Sequence, residues 1–239
     1  MIQMKLASLC LAALVASTFF ASPSDAHGIF FANRADEKIL VLGEGPGDNA
    51  YTPSKVTGIT AYDTQLSPMG VEVVKHEKNI AIIPPAELGV TVTYFDNGYW
   101  YKGGNSTTKP SQNMLDSQKT THAIKWNVNY WSKDVKPTLL SNIPIQIVPT
   151  VNPLTLRKGD TYQIQVFKDG KPYANAPLIA DVINDLTNEI TTDANGMATI
   201  TVSANGLNVI GVEVAAPNSL GKMSQDKYFS SLSFIIDPE

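Results

Sequence analysis

Only three histidines occur in the chain, His27, His76 and His122, and the first stands where an export leader would be cut. Ser24 and Ala26 put small residues at positions −3 and −1 of a cleavage before His27. Cleavage there would make His27 the first residue of the mature chain, with an α-amine and an imidazole on one residue. The amine and Nδ1 close a six-membered chelate ring on a metal, and both must be deprotonated to bind. A second histidine would complete a three-nitrogen set suited to Cu(II), and a square-planar or tetragonal nitrogen-rich site also suits Ni(II). His122, in the aromatic-flanked stretch KTTHAIKW, is the candidate for that second nitrogen; its ordinary alternative is a hydrogen bond to a backbone carbonyl. His76 lies between Lys75 and Lys78, whose charges oppose a dication, and a solvated turn is its ordinary reading. Glu44 and Asp48, in GEGPGDNAY, offer carboxylates for a harder Ni(II) or Co(II) site. Their competing role is turn formation around Gly45 and Pro46.

Other chemistries find little support. The chain has no G-x-S-x-G, no H-E-x-x-H and no phosphate-binding loop; GEGPGD lacks the Lys-Ser/Thr that such a loop needs. No carboxylate pair stands out for glycosidase work. The sequence reads as a binding protein rather than an enzyme. The one cysteine, Cys10, lies in the apolar run Leu6–Phe20, so the mature chain would have neither disulfides nor thiolate ligands. That run, preceded by Lys5, is too short for a membrane span and fits a signal peptide over residues 1–26; no later stretch is long and apolar enough to span. The expected destination is the periplasm. A formal charge of −4, with charges scattered, argues against nucleic acid as a partner.

The elements that must hold these residues read as all-β. Aromatic and β-branched residues dominate, and turn signals recur about every ten residues. EKILVLGEG, KVTGITAYD, VEVVKHEKN and NIAIIPP have the alternation or apolar run of strands. In VTVTYFDNGYWYKG, Asp96-Asn97-Gly98 predicts a hairpin turn between aromatic strands. Of its aromatics Tyr94, Phe95, Tyr99, Trp100 and Tyr101, about half should fill a core and the others wall a pocket or a contact. Residues 103–120 read as a long polar loop, and THAIKWNVNYW as a short helix or a strand. From about residue 145, short strands with crisp turns take over, with Asp169-Gly170 and Asn195-Gly196 as hairpin signals. The expectation is two β-sandwich-like domains. Residues 27–132 would form a β-rich metal-binding domain, 133–145 a proline-containing linker, and 146–239 an immunoglobulin- or fibronectin-like sandwich.

The order and spacing of several segments resemble the periplasmic component family linked to cobalt and nickel uptake, also described as a nickel-uptake substrate-specific domain. The segments are His27-Gly28 with Phe30 and Phe31, LGEGPGDNAYTPSKVTGITAYD, VTYFDNGYW, KTTHAIKW, IPIQIVPTVNPLTLRKGDTYQIQVFKDGKPYANAPLIAD, TTDANGMATITV, GLNVIGVE and YFSSLSF. The resemblance implies a metal-related periplasmic role in two β-rich domains. It leads to the expectation of a protein that captures Ni(II) or Co(II) and presents it to a membrane uptake permease. Two rivals stand beside it. One is a copper chaperone or copper monooxygenase built on an N-terminal histidine brace; the other is an adhesion or scaffold module that binds no metal.

Overall fold

In this computed structural model residues 27–236 are described; the expected leader and its cleavage point lie outside them. The chain runs through β1 (Gly28–Arg34), β2 (Glu37–Glu44), β3 (Gly47–Asn49), β4 (Val56–Asp63), β5 (Pro68–Met69), β6 (Glu72–Lys75) and β7 (Ile80–Ile83). There follow the long β8 (Leu88–Tyr101), β9 (Gly104–Ser106), a short helix α1 (Gln112–Ser117) and β10 (Thr120–Tyr130). The second half holds β11 (Ile145–Pro149), β12 (Thr161–Lys168), β13 (Lys171–Pro172), β14 (Pro177–Asp181), β15 (Asp185–Thr191), β16 (Met197–Thr201), β17 (Gly206–Pro217) and β18 (Ser224–Ile236). The fold is all-β and sandwich-like, as its composition requires.

Three sheets carry it. The largest has nine strands in the order β15-β14-β17-β18-β10-β8-β4-β5, with β9 alongside β8. Its even-numbered residues, among them Val92, Val128, Ile210 and Leu232, pack on β11, β12 and β16 through Ile147, Ile164 and Ile200. This pair of layers is a sandwich, and it is not made by the second half alone, since Val92 and Val128 come from the first. Its other face holds the sheet β1-β2-β7-β6. Both faces of that sheet are covered. Ile29, Phe31, Leu40 and Ile80 meet Ala61, Leu88 and Phe95 on the β4–β8 side. Phe30, Ile39, Val41 and Ala81 meet Val182, Val209 and Phe229 on the β14–β17–β18 side. The long sheet therefore curves around the small one and receives it edge-first. Two-sided burial explains why IFFA and ILVL read as continuous apolar runs rather than alternating ones.

The inserted edge is β1, and an edge strand has unpaired backbone groups. The floor it meets is polar for that reason. Ser231 Oγ donates to the Ile29 carbonyl. Asn127 Nδ2 donates to Ser231 Oγ and to Ser233 Oγ at 3.0 and 2.8 Å, and Ser233 Oγ donates to Asn129 Oδ1. All four of these side chains are buried.

Three sequence expectations change. Residues 133–145 do not divide the molecule into two domains: β10 and β18, from opposite sides of that segment, pair in parallel along their whole shared length within one sheet. Local texture cannot show a pairing between strands so distant in the chain. Asp96-Asn97-Gly98 is not a hairpin turn but an irregularity inside β8, whose pairing with β10 shifts between Ala123 and Ile124 and then continues to Tyr101. Asn195-Gly196 is a turn held by the Asp193 carboxylate, which accepts from Asn195 N and Met197 N, but the strands it joins belong to different sheets. Asp169-Gly170 does form the expected tight hairpin, with positive φ at both residues. The open alternative for residues 120–130 resolves as a strand, and the loop 103–120 contains β9 and α1.

Candidate functional site

The five residues expected to bind metal do not come together in one place. His76 follows β6, where its Nε2 lies 3.1 Å from Glu37 Oε2. Asp48, on β3, is taken by Arg34, whose Nε and Nη2 donate to the carboxylate at 2.8 and 3.1 Å. That hydrogen bond raises the guanidinium pKa above its ordinary value, against a smaller opposing effect of burial.

His122 belongs to a compact polar cluster on the face of β10 that carries the β11–β12–β16 layer. Its ring stacks on Tyr99, with centroids 4.3 Å apart and planes at 10°. Nε2 lies 3.0 Å from Asp96 Oδ1, and Nδ1 lies 3.7 Å from Asp226 Oδ1. Asp226 in turn accepts from Asn218 Nδ2 and the Tyr228 hydroxyl at 2.7 and 2.8 Å. The β8 irregularity makes the cluster. Ile124 pairs with Asp96 and Ala123 with Gly98, so Asn97 is the inserted residue, and Asp96 and Tyr99, three apart, face the same side. Gly98 takes φ +83° there, and a Cβ on it would come 2.5 Å from the Ser106 carbonyl oxygen. The His122 side chain, 15% exposed, has both ring nitrogens directed at carboxylates.

His27 and Glu44 lie elsewhere. The β1–β2 ladder ends with Gly28 opposite Gly43, so one further step sets His27 across from Glu44. His27 forms part of the wall of a cavity of about 680 Å³ at the open end of the concave face. Thr121, Ala123 and Lys125, the odd-numbered residues of β10, line the same cavity. His122, even-numbered, points to the other side of the sheet, so the strand's period of two separates the two histidines. Among the described residues no three His, Cys, Asp or Glu side chains converge as a metal site would require.

The cavity is instead marked by lysines. Lys55, Lys125 and Lys227 line it, together with Glu213, Asn97 and an apolar wall of Leu42, Ala123, Trp100 and Phe229. Lys55 Nζ donates to the Asn97 side-chain oxygen at 2.8 Å, at the inserted residue of β8. Lys227 Nζ lies 2.9 Å from Glu213 Oε1. Lys125 is only 4% exposed, and among the described residues no hydrogen-bond acceptor meets its ammonium. Burial pushes its pKa down to about 8; the nearby Glu213 and Glu44 carboxylates oppose that shift, while Lys227 and Lys55 add to it. Burial also lowers the pKa of Lys55, with Asp96 opposing. Sequence reasoning passed over these lysines. The signal was present in one of them: Lys125 is the only Asp, Glu, Lys or Arg between Thr120 and Tyr130, in a strand otherwise made to be buried. Of the aromatic cluster, Phe95 fills the core, Tyr99 supports His122, and Trp100, 40% exposed, walls the cavity.

Comparison with known proteins adds one finding. Residues 44–216 match the sequence profile of a family described as "Domain of unknown function (DUF4198)". The matched span holds Glu44, Lys55, His122, Lys125 and Glu213 and leaves out His27 and Lys227. No curated protein and no solved structure matches the chain.

Proposed function

The chain belongs to the DUF4198 family, and on that footing we propose that it is an exported, periplasmic metal-binding protein that carries Ni(II) or Co(II) as cargo to a membrane uptake partner. The observation that supports this reading is the placement of His27 in the wall of the cavity, just beyond the Gly28–Gly43 pair that ends the β1–β2 ladder, with Glu44 next after Gly43. Cleavage after Ala26 would add the α-amine, giving two nitrogens from one residue with a carboxylate across the ladder. Such a set leaves coordination positions open. Structural metal sites are closed, whereas open positions let a metal arrive with, or leave to, other ligands. No helix among the described residues is long and apolar enough to cross a membrane, so transport requires a partner.

The deciding variant is the mature chain with a single Gly placed before His27. It keeps every side chain and moves the amine off the histidine. Equilibrium dialysis with Ni(II) and Co(II) should show a loss of more than tenfold, about 1.4 kcal/mol or more, both for this extension and for His27→Ala. Equal affinity in the extended and unextended chains would remove the free amine from the site and the reading with it. Tighter binding of Cu(II) in the same experiment decides nothing about cargo, because affinity at nitrogen-rich sites rises toward copper for any such set.

A further inference from the structure

We propose that the cavity beside His27 is a binding site for a small organic anion carrying at least two carboxylates, with Lys125 as its buried counter-charge and Trp100 as its apolar wall. The proposal rests on Lys125 and the shape of the cavity rather than on the metal reading, and it stands without that reading.

A lysine ammonium almost never occurs fully buried without a partner, because desolvating a charge is costly unless another charge or hydrogen-bond acceptors replace the water. Lys125 is buried and lines the cavity, its ammonium makes no hydrogen bond to the described residues, and its Nζ lies 5.4 Å from the centroid of the Phe229 ring, with the Glu213 and Glu44 carboxylates farther off. A ring face attracts a cation but accepts no conventional hydrogen bond, so the ammonium's donors remain for a ligand. Lys227 and Lys55 line the same cavity and set further positive charge around it. Glu213, close to Lys227, offsets part of that charge.

The chemical class follows from what surrounds the lysines. Among the described residues no arginine lines the cavity, so the planar fork that grips phosphate in two places is missing from the lining. Nor does the α-helix among them, Gln112–Ser117, contribute a residue to the lining and so direct backbone N–H groups at a phosphate. Leu42, Ala123, Trp100 and Phe229 instead call for a carbon skeleton. A small polycarboxylate joins the two requirements. Such an anion is also a chelator, so in a metal carrier it would occupy the coordination positions that His27 and Glu44 leave open.

The test is calorimetric titration of the mature protein with citrate, inorganic phosphate and NiCl2, each alone, alongside Trp fluorescence. Citrate should bind, phosphate should bind at least tenfold more weakly, and Lys125→Met should weaken citrate at least tenfold without weakening NiCl2, since the substitution removes a positive charge from the surroundings of Glu44. Lys55→Gln, at a partly exposed position, should weaken citrate several-fold and serves as a second variant should Lys125→Met fold poorly. Citrate binding that survives both substitutions, equal affinity for phosphate, or no heat with citrate would overturn the proposal. The metal reading fails separately: citrate would bind as expected while NiCl2 alone gave no heat and the added Gly before His27 changed nothing.

Discussion

The ammonium of Lys125 lies 5.4 Å from the centre of the Phe229 ring, a buried charge set against a neutral π-face. Its consequence for stability can be measured with no ligand present. The unfolded chain keeps this proton up to the ordinary lysine pKa of 10.5, whereas the folded chain sheds it near 8. Between those values the unfolded state binds more protons, so stability rises with pH. The gap corresponds to roughly 3 kcal/mol, regained progressively above pH 8. Denaturant unfolding at fixed pH should show this climb from pH 8 toward 10. Lys125→Met should be more stable than the parent at pH 7 and should lack the climb. Above about pH 10 the trend should turn over, because burial raises the pKa values of Tyr51, Tyr130 and Tyr162 and the unfolded state then loses protons first.

Glu44 tests the metal reading from the other side of the ladder. Glu44→Gln keeps the size of the side chain and removes its charge. Affinity for Ni(II) should fall several-fold in equilibrium dialysis, less than for His27→Ala. Asp48→Asn and His76→Ala, at positions engaged with Arg34 and Glu37, should leave it unchanged.

His122 should behave as a structural residue. Replacing it with Ala removes the stack on Tyr99 and leaves Asp96 and Asp226 facing each other without a donor between them. The expected result is a lower melting temperature with Ni(II) affinity unchanged, since its side chain points away from the His27 face. Gly98→Ala should lower stability too, by more than about 1 kcal/mol, because a Cβ at positive φ would press on the Ser106 carbonyl.

Ser231→Ala should destabilise by about 1–3 kcal/mol in chemical denaturation. The loss leaves the Ile29 carbonyl without its donor and takes one acceptor from the Asn127 amide, both in a buried setting. Ser231→Thr, which keeps the hydroxyl, should recover part of it.

How far the sequence disclosed this molecule depends on the range of the interaction. Alternation and turn residues are local, so the all-β class and the Asp169-Gly170 hairpin were legible. Asp96-Asn97-Gly98 carried the same turn signal as a hairpin. It became a bulge because β10 continues beside β8 on both sides of it, and that partner is not adjacent in the chain. The division at residues 133–145 failed for the same reason. In the site, His27 drew attention through its place after Ala26. Its separation from His122 follows from strand parity only once 120–130 is known to be a strand, which periodicity left open. Lys125 went unremarked although it is the one charge in that strand, because its neighbours Glu213 and Lys227 come from strands nearly a hundred residues later in the chain.

The parallel pairing of β10 with β18 bears on how the protein is made. Asn127 and Ser231, neighbours on the floor of the concave face, are 104 positions apart in the chain. β18 follows β1 to β17 in the chain, so the central strand of the largest sheet emerges after all of them during synthesis. Until it arrives, β10 has one open edge, and the polar floor that β1 leans on is only half built. Contacts so distant are closed late and at a large entropic cost, so folding should be slow and should wait for β18. Chains truncated before Ser224 would present the open edges of both β10 and β17, which are templates for pairing with other chains. The thirteen residues of β18 therefore set when the fold can close, because both of their neighbours stay unpaired on that side until they are in place.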